Sequence, residues 1–246
     1  MKIQEIIEYT TYNGVNYDEI LWQALDCGRI SKQEYCNRRA VLAQARKMAT
    51  ILWKAPVSFH TWENSLGVHV SNKNMICQGF SLTNNVFWKG VIYQGIPYAA
   101  NAGHNKYNCS SWYSLIDSDE IDRSDFEGEV NFLGKGRQKC TLKGVDCSGF
   151  IYNAYEILDN YNEGYLTTGK LLESPSWEKI EISSAMPGDI LLKKGHVMIY
   201  VGVAKNGKIA VLESTADDAN GCSGCRYFEF DSVFDYEYYR YVDIAK

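Results

Sequence analysis

The stretch MPGDILLKKGHVMIYVGVAKNGKIAVLEST, residues 186–215, decides the fold of this chain. Pro187-Gly188 predicts a turn, and the runs rich in Ile, Leu, Val and Tyr that follow it predict strands. Asn206-Gly207 is the strongest short signal for a β-hairpin, so the chain is expected to turn back there. These signals predict an antiparallel sheet with strands over Asp189–Leu192, His196–Val203 and Lys208–Ser214.

The stretch GVDCSGFIYNAYEIL, residues 144–158, predicts an amphipathic helix that starts at or next to Cys147. The unpaired N–H groups and the positive end of the helix dipole favour a thiolate at such a position. The same N–H groups can donate to the oxygen of a tetrahedral intermediate. Cys147 is therefore a candidate nucleophile that carries half of an oxyanion hole. The predicted apolar face of the helix comprises Phe150, Ile151, Ala154, Tyr155 and Leu158.

His196 opens the second predicted strand, where an imidazole can point into a cleft and move protons for a thiol nucleophile. Two acidic residues are candidates for orienting it. A two-residue loop at Asn206-Gly207 places Glu213 opposite Tyr200, on the correct face but four residues from His196, so contact requires a bulge, strong twist or another turn. The same register places Asp217 opposite His196, so both acids remain open.

The chain is expected to divide near residue 85. Helical patterns precede Pro56, with a glycine cap at Gly28 and a capping box at Ser31-Lys32-Gln33-Glu34. Residues 1–85 are thus predicted to form a helical and irregular segment, and residues 86–246 a second domain. The polar stretch 99–145 carries a series of acidic residues, but Asp122 stands where a calcium loop needs glycine, so a solvated face is favoured.

Composition narrows the classes of function. The 246 residues include 30 acidic and 25 basic side chains, a formal charge of −5, which argues against a nucleic-acid partner. The most apolar stretch, 190–204, is too short to span a bilayer. No secretory signal is visible at the amino terminus, which predicts a cytoplasmic protein unless it is exported by an unrecognised route. The sequence predicts no cofactor and no metal site.

The pair Cys222-Ser223-Gly224-Cys225 has the spacing of a zinc knuckle or a redox site. No second pair lies at a matching distance, and structural zinc needs four ligands. A loop with free thiols or a local disulfide is therefore favoured over metal or redox chemistry. The other cysteines of the eight follow no repeating framework, and most are interpreted as reduced, buried residues.

Four motifs in order resemble the NlpC/P60 cysteine peptidases. Asp146-Cys147-Ser148-Gly149 heads a helix, Pro187-Gly188-Asp189 precedes a strand, and Gly195-His196-Val197 opens the next one. Upstream, Gly95-Ile96-Pro97-Tyr98 is similar to the stretch that precedes the family's nucleophile. The resemblance covers about residues 86 to 244 and implies an α+β, papain-like fold in which a helix packs on an antiparallel sheet.

The resemblance also implies roles for individual residues. Cys147 is the nucleophile, His196 the general base and acid, and Glu213 the third polar group, a position where histidine is more frequent. Tyr98 corresponds to the tyrosine near the oxyanion site, and Asp146 and Ser148 to positions that hold a substrate's free amine. The substrate implied is a peptidoglycan stem peptide, cut between γ-D-glutamate and a diamino acid. An amidase or acyl transferase with another substrate, and a catalytically silent binding module, are the alternatives.

Overall fold

The computed structural model describes residues 15–51, 95–96, 145–215 and 224–246, with Gly90 and the backbone of 11–12, 52–54, 59–60, 86–87 and 92–94. The chain divides into two compact units. The first comprises residues 1–46, 154–213 and 227–246, and the second comprises residues 47–153 and 214–226. Among the described residues, no helix has both the length and the apolar character that crossing a bilayer requires.

Local capping signals determine where the two long amino-terminal helices begin and end. Helix α1 (Tyr17–Asp26) starts where the Asn16 side chain accepts a hydrogen bond from the Glu19 amide, and Gly28 follows its end with φ +75°. Helix α2 (Lys32–Thr50) starts where the Ser31 hydroxyl oxygen accepts from the Glu34 amide at 3.0 Å. The predicted glycine cap and the serine half of the capping box are confirmed. On α2, the apolar side chains Val41, Ala45 and Met48 lie on one face and are buried.

A six-stranded sheet is the main β-structure of the described residues. Its strands are β7 (Trp177–Ile180), β8 (Ile190–Lys193), β9 (His196–Val203), β10 (Ile209–Thr215), β11 (Gly224–Phe230) and β12 (Glu237–Tyr241). The pairings β9 with β10, β8 with β9, β8 with β12 and β7 with β12 are all antiparallel. The strand order is β11-β10-β9-β8-β12-β7. This arrangement confirms the α+β class and the antiparallel sheet that residues 186–215 predict.

One face of this sheet carries a hydrophobic cluster in the first unit. Side chains that alternate along β9, such as Met198 and Tyr200, lie on this face because the side-chain period of a strand is two. Burial raises the pKa of Tyr200 to about 12, so its hydroxyl stays protonated at neutral pH. The buried members of the cluster are Leu191, Met198, Tyr200, Val211, Val233 and Tyr238.

A buried ionic network joins α2 to the turn before β8. The Arg38 guanidinium is fully buried and contacts Asp189 at 2.9 Å and Glu34 at 2.8 Å, and it also donates to the Pro187 carbonyl. Asp189 accepts further bonds from Arg240, at 2.7 Å, and from the Met186 amide. Buried charges are tolerated when they are paired and hydrogen-bonded in this way. Asp189, which belongs to the Pro187-Gly188-Asp189 motif, therefore has a structural role.

The remaining elements are short, apart from the helix that carries Cys147. In the first unit, β1 (Thr11–Tyr12) pairs with β2 (Val15–Asn16), and a short helix α4 covers Thr168–Glu173. In the second unit, β3 (Leu52–Lys54) pairs with β6 (Ile92–Gln94), and β4 (Phe59–His60) pairs with β5 (Val86–Phe87). Helix α3 spans Cys147–Tyr155.

Gly95 and Ile96, from the motif upstream of the predicted nucleophile, are buried in the second unit. The Ile96 carbonyl accepts a hydrogen bond from the Cys225 amide at 2.8 Å. Gly95 has φ +81°, and a Cβ atom there would approach the Cys225 carbonyl oxygen to 2.4 Å. Only glycine fits this position, for both conformational and steric reasons.

Candidate functional site

Cys147 is the first residue of helix α3, as the sequence predicts. The Asp146 carbonyl accepts the amide of Phe150 at 2.8 Å, which makes Asp146 the N-cap and places Cys147 at the first helical position. The thiol is free of disulfide bonds and the residue is 7% exposed. The first amides of a helix have no acceptor within it, so the Cys147 amide is suited to donate to an oxyanion.

The Asp146 carboxylate caps the amino terminus of this helix. Its Oδ1 accepts the Gly149 amide at 2.6 Å and the Ser148 hydroxyl at 3.2 Å. Both Asp146 and Ser148 are buried. A carboxylate at this place satisfies a backbone donor and interacts favourably with the helix dipole. These two side chains therefore support the geometry around Cys147, and the amine-binding role that the resemblance implies for them stays a prediction.

Hydrogen bonds within the second unit also fix the backbone just before helix α3. The Ser214 hydroxyl, on the last part of β10, donates to the Val145 carbonyl at 2.8 Å. Ser214 is fully buried and Val145 is almost so. Within the helix, the Asn153 side-chain amide donates to the Gly149 carbonyl at 2.7 Å. Buried polar groups that are paired in this way restrict the local backbone to one arrangement.

In the first unit, His196 and Glu213 form a close pair. His196 Nε2 and Glu213 Oε2 are 2.6 Å apart, and the side chains are 20% and 1% exposed, respectively. An ionised carboxylate only accepts hydrogen bonds, so Nε2 carries the proton of this bond. A carboxylate in such contact also stabilises the positive imidazolium. Because Glu213 occupies Nε2, any proton that His196 exchanges with a substrate or a thiol passes through Nδ1.

Two features of the β9–β10 hairpin bring Glu213 to His196. The first is the loop. The Ala204 amide donates to the Lys208 carbonyl and the Gly207 amide to the Ala204 carbonyl, so three residues form the loop, with Gly207 at φ +81°. The prediction of a two-residue loop at Asn206-Gly207 is wrong, because this pair also suits a three-residue loop with glycine in the left-handed position.

The second feature is a β-bulge in β9. Ala210 pairs with Gly202 but Val211 pairs with Tyr200, so Val201 is an extra residue on β9. Leu212 pairs with Ile199, and continuing this register places Glu213 opposite Met198 instead of Tyr200. Glu213 is then the diagonal neighbour of His196 on one face of the sheet, within reach of a long side chain. The bulge that the sequence-based register required is present.

Gly202 lies directly beside this bulge in a backbone conformation that favours glycine, and its substitution tests whether the bulge depends on it. Gly202 has φ +147°, and an added Cβ would lie 3.1 Å from Val15 Cγ1 and 3.2 Å from Ile20 Cδ1. We expect Gly202→Ala to lower the free energy of unfolding by about 1–3 kcal/mol, because a side chain is strained in that backbone region. Gly164→Ala, where no atom lies within 4 Å of the added carbon, should change it by less than about 0.5 kcal/mol in the same urea titration. Equal effects of the two substitutions would contradict a special role for Gly202.

Several predicted residues lie outside the described part of the chain. These are Tyr98, Asp217 and Cys222, as well as the acidic stretch between residues 101 and 144. Cys225 is described, and it is a buried residue of β11 that forms no disulfide bond. In the regions that the structure describes, no group of three or more His, Cys, Asp or Glu side chains is arranged to hold a metal ion. Cys147 belongs to the second unit and the His196–Glu213 pair to the first.

Sequence reasoning missed one residue that contacts the predicted base. The rings of Tyr236 and His196 are 6.2 Å apart with an interplanar angle of 79°, which is an edge-to-face contact. Tyr236 belongs to the tyrosine-rich run before the carboxyl terminus, which the sequence presents as packing residues. Only the pairing of β12 with β8 would have indicated its place beside His196.

Comparisons with known proteins identify no relative, because no family model, curated protein or solved structure matches this chain.

Proposed function

We propose that this protein is a cysteine peptidase of the NlpC/P60 type, with a papain-like fold, that hydrolyses an amide bond in peptidoglycan stem peptides. The observation that carries the proposal is the 2.6 Å contact between His196 and the buried carboxylate of Glu213. A buried carboxylate that orients an imidazole is the base–orienter part of a nucleophilic triad. The position of Cys147 at a helix start supports the remaining role of the triad, that of the nucleophile.

The proposed reaction uses Cys147 as a thiolate and His196 as an imidazolium. The sulfur attacks the amide carbon, and the carbonyl oxygen takes the negative charge, which the Cys147 amide stabilises. His196 Nδ1 then protonates the leaving nitrogen, the C–N bond breaks, and an acyl-thioester remains on Cys147. In the second half, His196 takes a proton from water, the hydroxide attacks the thioester, and the carboxylic acid product and free thiol form.

Glu213 contributes by orienting the imidazole ring of His196 and by stabilising its protonated form. The Nε2–H bond to Glu213 fixes the orientation of the ring, so that Nδ1 exchanges the proton in both halves of the reaction. Tyr98 is proposed to assist near the oxyanion, and Asp146 and Ser148 to hold a free amine of the substrate. These three assignments rest on the motif resemblance.

Incubation with muropeptides of defined structure tests the proposed function. We expect two fragments whose masses add up to the substrate plus one water, with the new ends at the bond between γ-D-glutamate and the diamino acid. Each reaction should be repeated with an added primary amine. A product that carries this amine in place of water would favour the acyl transferase alternative. Intact muropeptides under all conditions would contradict the peptidase proposal.

A further inference from the structure

Three side chains form one row across three strands of the sheet. Lys193 on β8 pairs with His196 on β9, and Glu237 on β12 pairs with Leu192 on β8. Continuing the β12–β8 register by one residue places Tyr236 opposite Lys193. Directly paired residues in an antiparallel sheet project from the same face. His196 is therefore flanked by Glu213 from β10 on one side, and on the other by Lys193 from β8 and by Tyr236, the residue that precedes β12.

Tyr236 is itself held in place from two directions. Its backbone amide donates to the Val233 carbonyl at 2.9 Å, and its side chain packs against the hydrophobic cluster on this face. Lys193 Nζ lies 4.2 Å from the centre of the Tyr236 ring and 2.5 Å from Asp235 Oδ2. An ammonium group over an aromatic face is attracted by the ring quadrupole. Lys193 and Asp235 therefore restrain the ring that contacts His196.

The charge states of these groups are compatible with the arrangement. Burial raises the pKa of Tyr236, although the nearby Lys193 opposes this effect, so the phenol is neutral near pH 7. Burial lowers the pKa of Lys193, but its contacts with Asp235 and Tyr236 outweigh this and the pKa is raised. The contact is therefore between a cation and a neutral ring.

We propose that Tyr236, restrained by Lys193, is a positioning residue for His196: its ring holds the imidazole in one orientation and so keeps the His196–Glu213 hydrogen bond formed. The catalytic part of this proposal rests on the proposed function. The part that concerns the hydrogen bond does not, because that bond exists without substrate.

The test measures exchange of the His196 Nε2–H proton with water by NMR, in the full-length protein without substrate. Edge-to-face aromatic contacts contribute about 0.5–1.5 kcal/mol, so Tyr236→Leu should speed exchange about 2- to 12-fold. Tyr236→Phe keeps the ring and should leave the exchange rate within twofold of wild type. Tyr239→Leu is the matched control, because Tyr239 lies on β12 three residues after Tyr236 and therefore projects from the other face. If muropeptides are cleaved, Tyr236→Leu should lower kcat by a similar factor and leave KM nearly unchanged.

A second variant keeps the test decisive if Tyr236→Leu does not fold. The Lys193 side chain is 35% exposed, so Lys193→Gln is expected to fold and should speed exchange about two- to fivefold by releasing the Tyr236 ring. Exchange rates in Tyr236→Leu and Lys193→Gln that equal those of wild type and Tyr239→Leu would overturn the proposal. Faster exchange in a protein that cleaves no muropeptide would support the positioning role and reject only the peptidase function.

Discussion

Cys147→Ala should abolish hydrolysis, with kcat/KM falling about 10⁴-fold or more. The reason is that in the proposed reaction the Cys147 sulfur forms the acyl-enzyme, and the remaining groups of a triad contribute little without the nucleophile. The measurement is the rate of muropeptide cleavage by the variant and the wild type at equal concentration. Labelling by a thiol-directed electrophile near neutral pH should also be lost selectively, because the thiolate is the reactive form.

Cys225→Ala is the matched control for this substitution. Cys225 is also buried and forms no disulfide bond, and it lies within β11. Each variant loses one buried sulfur, so each should be destabilised by about 1 kcal/mol, and only Cys147→Ala should lose activity. Full activity of Cys147→Ala, or an equal loss of activity in both variants, would show that Cys147 is not the nucleophile.

Glu213→Gln should lower kcat/KM by about 10- to 100-fold. Glutamine keeps the shape and an oxygen acceptor but removes the charge, and a hydrogen bond to a charged group contributes about 1.5–3 kcal/mol. The sign of the pH effect follows from the same cause. Glu213 stabilises the imidazolium, so without its charge His196 loses its proton at lower pH. The basic limb of the kcat/KM profile should therefore move to lower pH.

Asp217→Asn distinguishes the two acids that the sequence leaves open. The contact between His196 and Glu213 predicts that only Glu213→Gln moves the basic limb, and that Asp217→Asn leaves it in place. The profiles of both variants should be recorded in one buffer series, with circular dichroism at each pH to verify folding. A shift in Asp217→Asn alone would assign the orienting role to Asp217 and refute the role of Glu213.

Periodicity predicts the strands well and their register poorly. The predicted strand His196–Val203 has the observed bounds, because it is a run of β-branched and aromatic residues between clear turn signals. The position of Glu213 depended instead on a loop that is one residue longer than predicted and on an extra residue at Val201. Neither changes the apolar pattern, so pattern alone does not reveal them. Gly202 was the one sequence signal for the bulge, since glycine inside a strand often marks one.

The candidate site was predictable where it depends on local sequence. Cys147 at a helix start follows from the glycines on either side of Asp146-Cys147-Ser148 and the apolar stripe beyond them. The contacts of His196 with Tyr236, and of Arg38 with Asp189, join residues that are far apart in the chain. Such contacts depend on strand order and helix packing, which a single sequence does not specify. Tyr236 therefore looked like any other of the 18 tyrosines.

The buried contact between Arg38 and Asp189 bears on which fragments of the protein can be expressed in a folded form. An expression fragment that begins at residue 86 would keep Asp189 and Arg240 but lose the guanidinium that reaches the carboxylate from α2. The Asp189 carboxylate would then be left with Arg240 and the Met186 amide, and it would lose one of its two charged partners. Recombinant versions made for crystallisation or screening should therefore retain the amino-terminal helices, even where only the motifs proposed to be catalytic are of interest.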